Sequence, residues 1–353
     1  MSVDDARRIL EDARTVGVFP AATVEVGSSA DLLWSEAFGA GLHTPFDLAS
    51  LTKVAATTTV VMEAVRTGAL RLDEPVSVFF GEWRGGDREG VTVRDLLEHA
   101  SGLPPRLVDV PPSGRREFEH DICTIALEYA PRTRSVYSDL GFILLGFLAA
   151  DRGGAPLSDL FDRVMVTRPP APFPGFGGTS PADPLTFGIP LAWRRLAAPT
   201  RPMAEDKRRG RDLTGEVHDN YAAALGGVAG HAGLFGSASA LGAFACRVLR
   251  AARGGPDEKA PFSPGLVHEF TRKSTVPGSS RALGWDTMLP TSSCGTRMSP
   301  QAFGHVGFTG ASLWIDPVRD RYFVLLTNRV FGGGTLDEMR TVRRAFHDAL
   351  GDV

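Results

Sequence analysis

Asp47-Leu48-Ala49-Ser50-Leu51-Thr52-Lys53 leads into the clearest helical stretch of the chain. Leu51, Val54, Ala55, Thr58, Val61, Met62 and Val65 recur at helical spacing up to Arg66, and Gly68 stands where such a helix would end. Ser50 and Lys53 are three residues apart, so a helix puts them on one face. A serine at a helix N-terminus lies beside free N–H groups and the positive end of the dipole, a setting that suits a nucleophile whose product is an oxyanion. Lysine one turn on can take the serine proton only if its pKa falls below the free value of about 10.4, through burial or a second cation. Alone, the pair also fits an N-cap serine followed by a solvated lysine. The chain has only four lysines, Lys53, Lys207, Lys259 and Lys273, and only Lys53 follows a serine at this spacing.

Two further stretches bear on the same chemistry. Tyr137-Ser138-Asp139 precedes the apolar run Leu140–Ala150. A phenol at a helix start can move a proton beside a serine–lysine pair, while Asp139 also fits an N-cap. Gly304-His305-Val306-Gly307-Phe308-Thr309-Gly310 precedes a strand expected at Ala311–Ile315. Its three glycines let backbone run close to a ligand, and an N–H there could complete an oxyanion hole with that of Ser50.

The same alternation and periodicity outline the whole chain. A helix is expected over about Asp4–Thr15, and strands at Ala22–Val26, Leu32–Phe38, Ala311–Ile315 and Tyr322–Thr327. Helices are expected at Val93–Glu98, Asp121–Tyr129, Leu140–Ala150 and Ala238–Ala252, with a last one over about Thr335–Leu350. Strands at both ends bracketed by terminal helices predict one antiparallel sheet built from distant parts of the chain. The expected organisation is a single α+β domain over 1–353, its sheet part approximately 1–60 and 275–353, with a helical insertion approximately 61–274. The Pro- and Gly-rich stretch Thr167–Pro202 is too long for a simple connector and reads as a functional loop or cap.

Composition narrows the class. With 353 residues, net charge −3, 43% hydrophobic and 22% charged residues, the chain reads as globular. The near-neutral balance argues against nucleic acid as a partner. Cys123, Cys246 and Cys294 have no paired spacing and read as small core residues rather than a disulfide or zinc framework. No apolar run is long enough for a membrane span, and Met1–Asp5 has no signal-peptide character, so a cytoplasmic location is expected. His218, His231 and His99 match no zinc spacing, and the expectation is neither metal nor cofactor. The basic run Lys207–Arg211 reads as a solvated loop.

The order Ser50-x-x-Lys53, Tyr137-x-Asp139 and His305-x-Gly307 resembles the serine β-lactamase and penicillin-binding superfamily. Within it the chain most resembles the class C branch, with its related D,D-peptidases and esterases. Leu96-Leu97-Glu98-His99-Ala100-Ser101-Gly102-Leu103-Pro104, Gly230-His231-Ala232-Gly233-Leu234-Phe235 and Leu313-Trp314-Ile315-Asp316-Pro317 strengthen the likeness, which spans roughly residues 15–350. Gly215–Tyr221 is similar to a segment of one D,D-peptidase-like branch and is expected near the cleft. The resemblance implies a class C β-lactamase-like fold and a serine hydrolase working through a covalent acyl-enzyme on a small acyl substrate. Ser50 would be the nucleophile, with Lys53 and Tyr137 its proton partners. Which of those two is the base stays open, because a coupled pair titrates jointly. The backbone N–H groups of Ser50 and Phe308 would form the oxyanion hole, and Asp139, His305 and Gly307 would bind substrate.

Two departures from the family pattern shape the expected substrate. Asp139 stands where Asn is commoner, and His305-Val306 stands where penicillin-binding members carry Lys-Thr. Imidazole supplies a positive charge only when protonated, and valine donates nothing. Carboxylic esters are therefore expected first. A D-alanyl-D-alanine carboxypeptidase, a weak β-lactamase, an acyltransferase and a non-catalytic penicillin-binding sensor are the alternatives.

Overall fold

The computed structural model describes residues 2–107, 111–166, 185–255 and 261–351. Helix α1 (Val3–Thr15) starts on a capping box between Ser2 and Asp5. Strands β1 (Ala22–Gly27) and β2 (Leu32–Phe38) form a hairpin, and the two-residue strand β3 (Phe46–Asp47) leads to Ser50. A π-helical turn over Lys53–Thr58 continues into α2 (Thr59–Arg66). Next come α3 (Val93–Leu97), α4 (Arg115–Thr124), α5 (Asp139–Gly153) and α6 (Leu157–Val166). Beyond them lie β4 (Thr186–Phe187), α7 (Asn220–Ala224), β5 (Leu234–Gly236), α8 (Ala238–Ala252) and α9 (Pro264–Thr271). The chain then returns to the sheet through β6 (Asp286–Thr287), β7 (Phe303–Val306), β8 (Ser312–Asp316) and β9 (Arg321–Thr327), and ends on α10 (Arg329–Gly332) and α11 (Leu336–Ala349).

The main sheet is antiparallel with strand order β2-β1-β9-β8-β7-β6, so both ends of the chain meet at β1 and β9, as the sequence predicts. Alternation assigns its two faces. Phe323 and Leu325 of β9 join Leu10 of α1 and Met339 and Phe346 of α11 in one core. Tyr322, Val324 and Leu326 point the other way, into the larger core with Leu241 and Phe244 of α8 and the buried helix α5. Helix α8 thus covers the sheet although it lies within the inserted stretch. Burying each such side chain is worth about 1.5–3 kcal/mol, so the sheet is clamped from both sides.

Some local expectations shift. The helix expected over Asp121–Tyr129 lies earlier, at Arg115–Thr124, because its buried stripe is Phe118, Ile122 and Cys123. The glycine-rich stretch ahead of β8 itself begins as a strand, β7, pairing His305 with Leu313. The three cysteines are buried and unbonded to one another. Of the stretch Thr167–Pro202, residues 167–184 lie outside the described residues. Among the described residues no single helix is long and apolar enough to cross a membrane.

Candidate active site

Ser50 sits on a bend that the fold holds in place. Ala49 adopts φ +47°, a left-handed conformation that costs a non-glycine residue about 1–3 kcal/mol. Asp47 supports it: Oδ1 accepts the Ala49 N–H at 2.8 Å and Oδ2 accepts the His218 N–H at 2.6 Å. The Asp47 carbonyl accepts the Thr309 hydroxyl at 2.8 Å, which ties in the loop after β7. Burial raises the Asp47 carboxyl to about 6 against those hydrogen bonds. Gly307 packs so tightly here that a Cβ would stand 2.7 Å from the Leu48 carbonyl oxygen, so only glycine brings Phe308 alongside the bend.

Ser50, Lys53 and Tyr137 converge. The Tyr137 hydroxyl donates to Ser50 Oγ at 2.7 Å, and Lys53 Nζ donates to the same oxygen at 3.0 Å. The π-helical turn opens the helix just where Lys53 and Thr57 meet the neighbouring chain: Lys53 Nζ reaches the His231 carbonyl at 3.2 Å and Thr57 Oγ1 the Gly230 carbonyl at 2.7 Å. Among the described residues, neither the Ser50 N–H nor the Phe308 N–H has a hydrogen-bond partner. The Phe308 carbonyl is occupied by Arg329, and its ring stacks on His218 at 5.6 Å.

Lys53 is fully buried and ion-paired with Asp139 Oδ1 at 2.7 Å. Burial pulls the ammonium down, but Asp139 and Tyr137 together hold it above the ordinary lysine value. Burial raises the Tyr137 phenol, and Lys53 pulls it only part of the way back. Both members of the couple therefore carry their protons at rest. Asp139, expected to bind substrate, has both oxygens committed, because Oδ2 accepts from Arg106 at 3.1 Å. Removing one partner of such a buried pair costs about 3–5 kcal/mol.

Arg106 extends the network. It also pairs with Asp219 at 2.9 Å and Asn220 at 2.7 Å, and it lies 4.0 Å over the Tyr221 ring. Asp219 Oδ1 takes His231 Nε2 at 2.8 Å. Ligand atoms of Asp139, Asp219 and His231 thus fall within 4.8 Å of one another, but both carboxylates already serve Lys53 and Arg106. The sequence reading missed Arg106, expected Asp219 near the cleft within Gly215–Tyr221 without giving it a role, and set His231 aside as a metal ligand. No local sequence signal marks this network, because Arg106 and Asp219 meet Asp139 only through the fold.

The opposite wall is different. His305, from β7, is 3% exposed, and its Nδ1 lies 2.9 Å from the Val306 carbonyl. A carbonyl only accepts, so Nδ1 carries the proton. Burial, with Arg281 and Lys53 nearby, holds His305 well below the usual histidine value, so it brings no positive charge to the site. His99, whose Nδ1 accepts the Ser138 N–H at 3.1 Å, is held neutral in the same way. The two imidazoles flank the Tyr137 ring at 4.8 and 5.8 Å. Arg281 covers that ring at 5.1 Å and has no ion pair among the described residues.

Comparison with known proteins agrees with this architecture. The Beta-lactamase family model matches residues 6–347. A putative D-alanyl-D-alanine carboxypeptidase of Salmonella gallinarum is 31% identical over 312 residues, covering 81% of this chain and 70% of that one. The class C β-lactamase of Rhodobacter sphaeroides superposes with a TM-score of 0.73 at 20% identity, covering 98% of both chains. EstCE1, a hydrolase with promiscuous acyltransferase activity, superposes with a TM-score of 0.72 at 17% identity, again over 98% of both. With three quarters or more of its length matched by both the family model and the carboxypeptidase relative, the chain belongs to the β-lactamase family.

Proposed function

We propose that this protein is a serine hydrolase that transfers an acyl group from a carboxylic ester to Ser50 and then to water. The observation that carries the reading is the shared contact at Ser50 Oγ, which receives Tyr137 at 2.7 Å and Lys53 at 3.0 Å. In the forward step Ser50 Oγ attacks the acyl carbon, and its proton passes to the Lys53–Tyr137 couple once that couple has released one of its own. The developing oxyanion faces the Ser50 and Phe308 N–H groups. The couple then returns the proton to the leaving alkoxide, the carbon–oxygen bond breaks, and the acyl-enzyme remains. Water repeats the cycle: it loses a proton to the couple, adds to the acyl carbon and expels Ser50 Oγ, which takes the proton back.

Esters come first because the wall at His305 and Val306 is neutral and offers no fixed charge for a substrate carboxylate. Arg281 favours a second reading. Its guanidinium over Tyr137, without an ion pair among the described residues, would suit an acyl donor whose leaving group carries a carboxylate, such as the D-alanyl peptide implied by the carboxypeptidase relatives' names. A panel of p-nitrophenyl esters, a chromogenic cephalosporin and a D-alanyl-D-alanine peptide, run on wild type and Ser50→Ala, separates the two. Highest kcat/KM on neutral esters, lost in Ser50→Ala, is the expected result. Turnover confined to the peptide would move the assignment to a carboxypeptidase, and ester turnover that persists in Ser50→Ala would remove Ser50 from the chemistry.

A further inference from the structure

We propose that Arg106 and Asp139 form a matched pair of opposite charges that sets how many protons the Lys53–Tyr137 couple holds, with Arg106 acting on the couple through Asp139. The proposal rests on the acyl-transfer reading above and assigns a control on the acid–base chemistry of that site.

The geometry is a closed loop of charge. Lys53 Nζ contacts Asp139 Oδ1, Asp139 Oδ2 contacts Arg106, and Arg106 contacts Asp219 Oδ2. Asp219 Oδ1 contacts His231 Nε2, and the His231 carbonyl returns to Lys53 Nζ. Two carboxylates alternate around it with the Lys53 ammonium and the Arg106 guanidinium. The titratable and charged groups that face the couple come from every neighbouring element. Asp139 comes from the start of α5, Arg106 from the segment between α3 and α4, and Asp219 and His231 from either side of α7. His99 follows α3, His305 comes from β7, and Arg281 precedes β6. Asp139 is the one acid among the described residues in contact with Lys53, so its charge sets the Lys53 proton more directly than any other.

Asp139 and Arg106 therefore push the couple in opposite directions. A full negative charge on Asp139 keeps the proton on Lys53, as its raised ammonium reflects. Arg106 draws on that same carboxylate and weakens its hold. Asparagine at 139 would leave Lys53 and Arg106 facing each other across a neutral amide, and acid at 139 without Arg106 would hold Lys53 more tightly still. Acylation needs the couple to lose one proton to solvent before it can accept that of Ser50. The rate therefore climbs with pH through the pKa of the couple, a property of the pair rather than of either residue.

The test is the pH dependence of the acylation burst of the full-length protein with p-nitrophenyl acetate, from pH 6 to 10. Asp139→Asn is expected to move the rising limb towards acid by about one to three pH units, the effect of removing one close opposite charge. Arg106→Gln moves it towards alkali by a smaller amount, the double variant falls between the two, and Arg106→Lys restores the limb towards wild type. A purely structural role would lower amplitude in each variant without moving the limbs apart. If Asp139→Asn does not fold, Arg106→Gln against Arg106→Lys still decides. Wild type acylated at Ser50, with limbs that stay put or move in the same direction, overturns this proposal alone. Wild type with no burst at all overturns the acyl-transfer reading and this proposal with it.

Discussion

On the α5 side of Ser50, Lys53 is fully buried and keeps its proton because Asp139 lies 2.7 Å away, whereas on the β7 side His305 is also buried, has no acid partner among the described residues, and is held neutral. Burial acts against charge in both places. A counter-ion decides the outcome in one and desolvation in the other. The site is thus built in halves: a compensated ionic network of Lys53, Asp139, Arg106 and Asp219, and a neutral aromatic wall of His99, Tyr137 and His305. Residue type alone does not tell the halves apart, since lysine and histidine are both bases. The neighbours do.

The largest effect is expected where the halves meet. Tyr137 belongs to the wall by packing and to the ionic half by its bond to Ser50. Tyr137→Phe and Lys53→Ala should each lower kcat by about 10²–10⁴-fold, the usual contribution of a general acid–base group. The double variant should lose little more than the worse single, because the two act as a unit. Steady-state kinetics on a p-nitrophenyl ester, with folding checked by circular dichroism, gives the comparison. Near wild-type turnover in Tyr137→Phe would reduce Tyr137 to packing.

Glu25 of β1 provides a control outside the site. It is buried against α8, where among the described residues its carboxyl takes a side-chain hydrogen bond only from the Tyr322 hydroxyl, at 2.9 Å, and burial raises the carboxyl to about 7. The native state thus holds a proton up to about 7 that the unfolded chain gives up near 4.5, so this contribution to stability is present below 4.5 and lost as pH rises through about 7. At about 1.36 kcal/mol per pH unit the loss comes to roughly 3 kcal/mol. Glu25→Gln has no such titration, so its stability relative to wild type should rise by roughly that amount between pH 4.5 and 8 in urea unfolding. A difference independent of pH would mean that Glu25 is compensated like Asp139.

The smallest expected effect comes from making the neutral wall ionic. His305→Lys with Val306→Thr adds a cation and a hydroxyl donor beside the acyl site. The ratio of kcat/KM for a cephalosporin to that for a neutral ester should rise by about 1.5–3 kcal/mol, roughly ten- to a hundred-fold, the worth of a hydrogen bond to a charged group. An unchanged ratio would place carboxylate recognition elsewhere, with Arg281 the first candidate.

The sequence made one half of the site more legible than the other. Ser50 and Lys53 are three apart on a periodic helix, and the strands of the sheet alternate, so local pattern places them. Tyr137 could be read as a proton carrier only together with that pair. The ionic network has no such pattern. Arg106 and Asp219 lie 33 and 80 residues from Asp139 in the chain, on irregular segments either side of it, and meet only through the fold. The π-helical turn at Lys53–Thr58 has no local mark in the sequence either, and the carbonyls that its Lys53 and Thr57 side chains meet, those of His231 and Gly230, arrive from far along the chain. The sequence put His305 in the third motif, and it lies beside Tyr137, but its charge was not legible, since that follows from burial and from the Val306 carbonyl.

The proposed acyl transfer requires Ser50 Oγ to be the atom that carries the acyl group. Incubation of the wild type with an activated p-nitrophenyl ester, acid quench, intact mass and peptide mapping test this directly. The expected result is one added acyl mass located on Ser50 and absent from Ser50→Ala. An adduct on another residue, or the same adduct in Ser50→Ala, would contradict it.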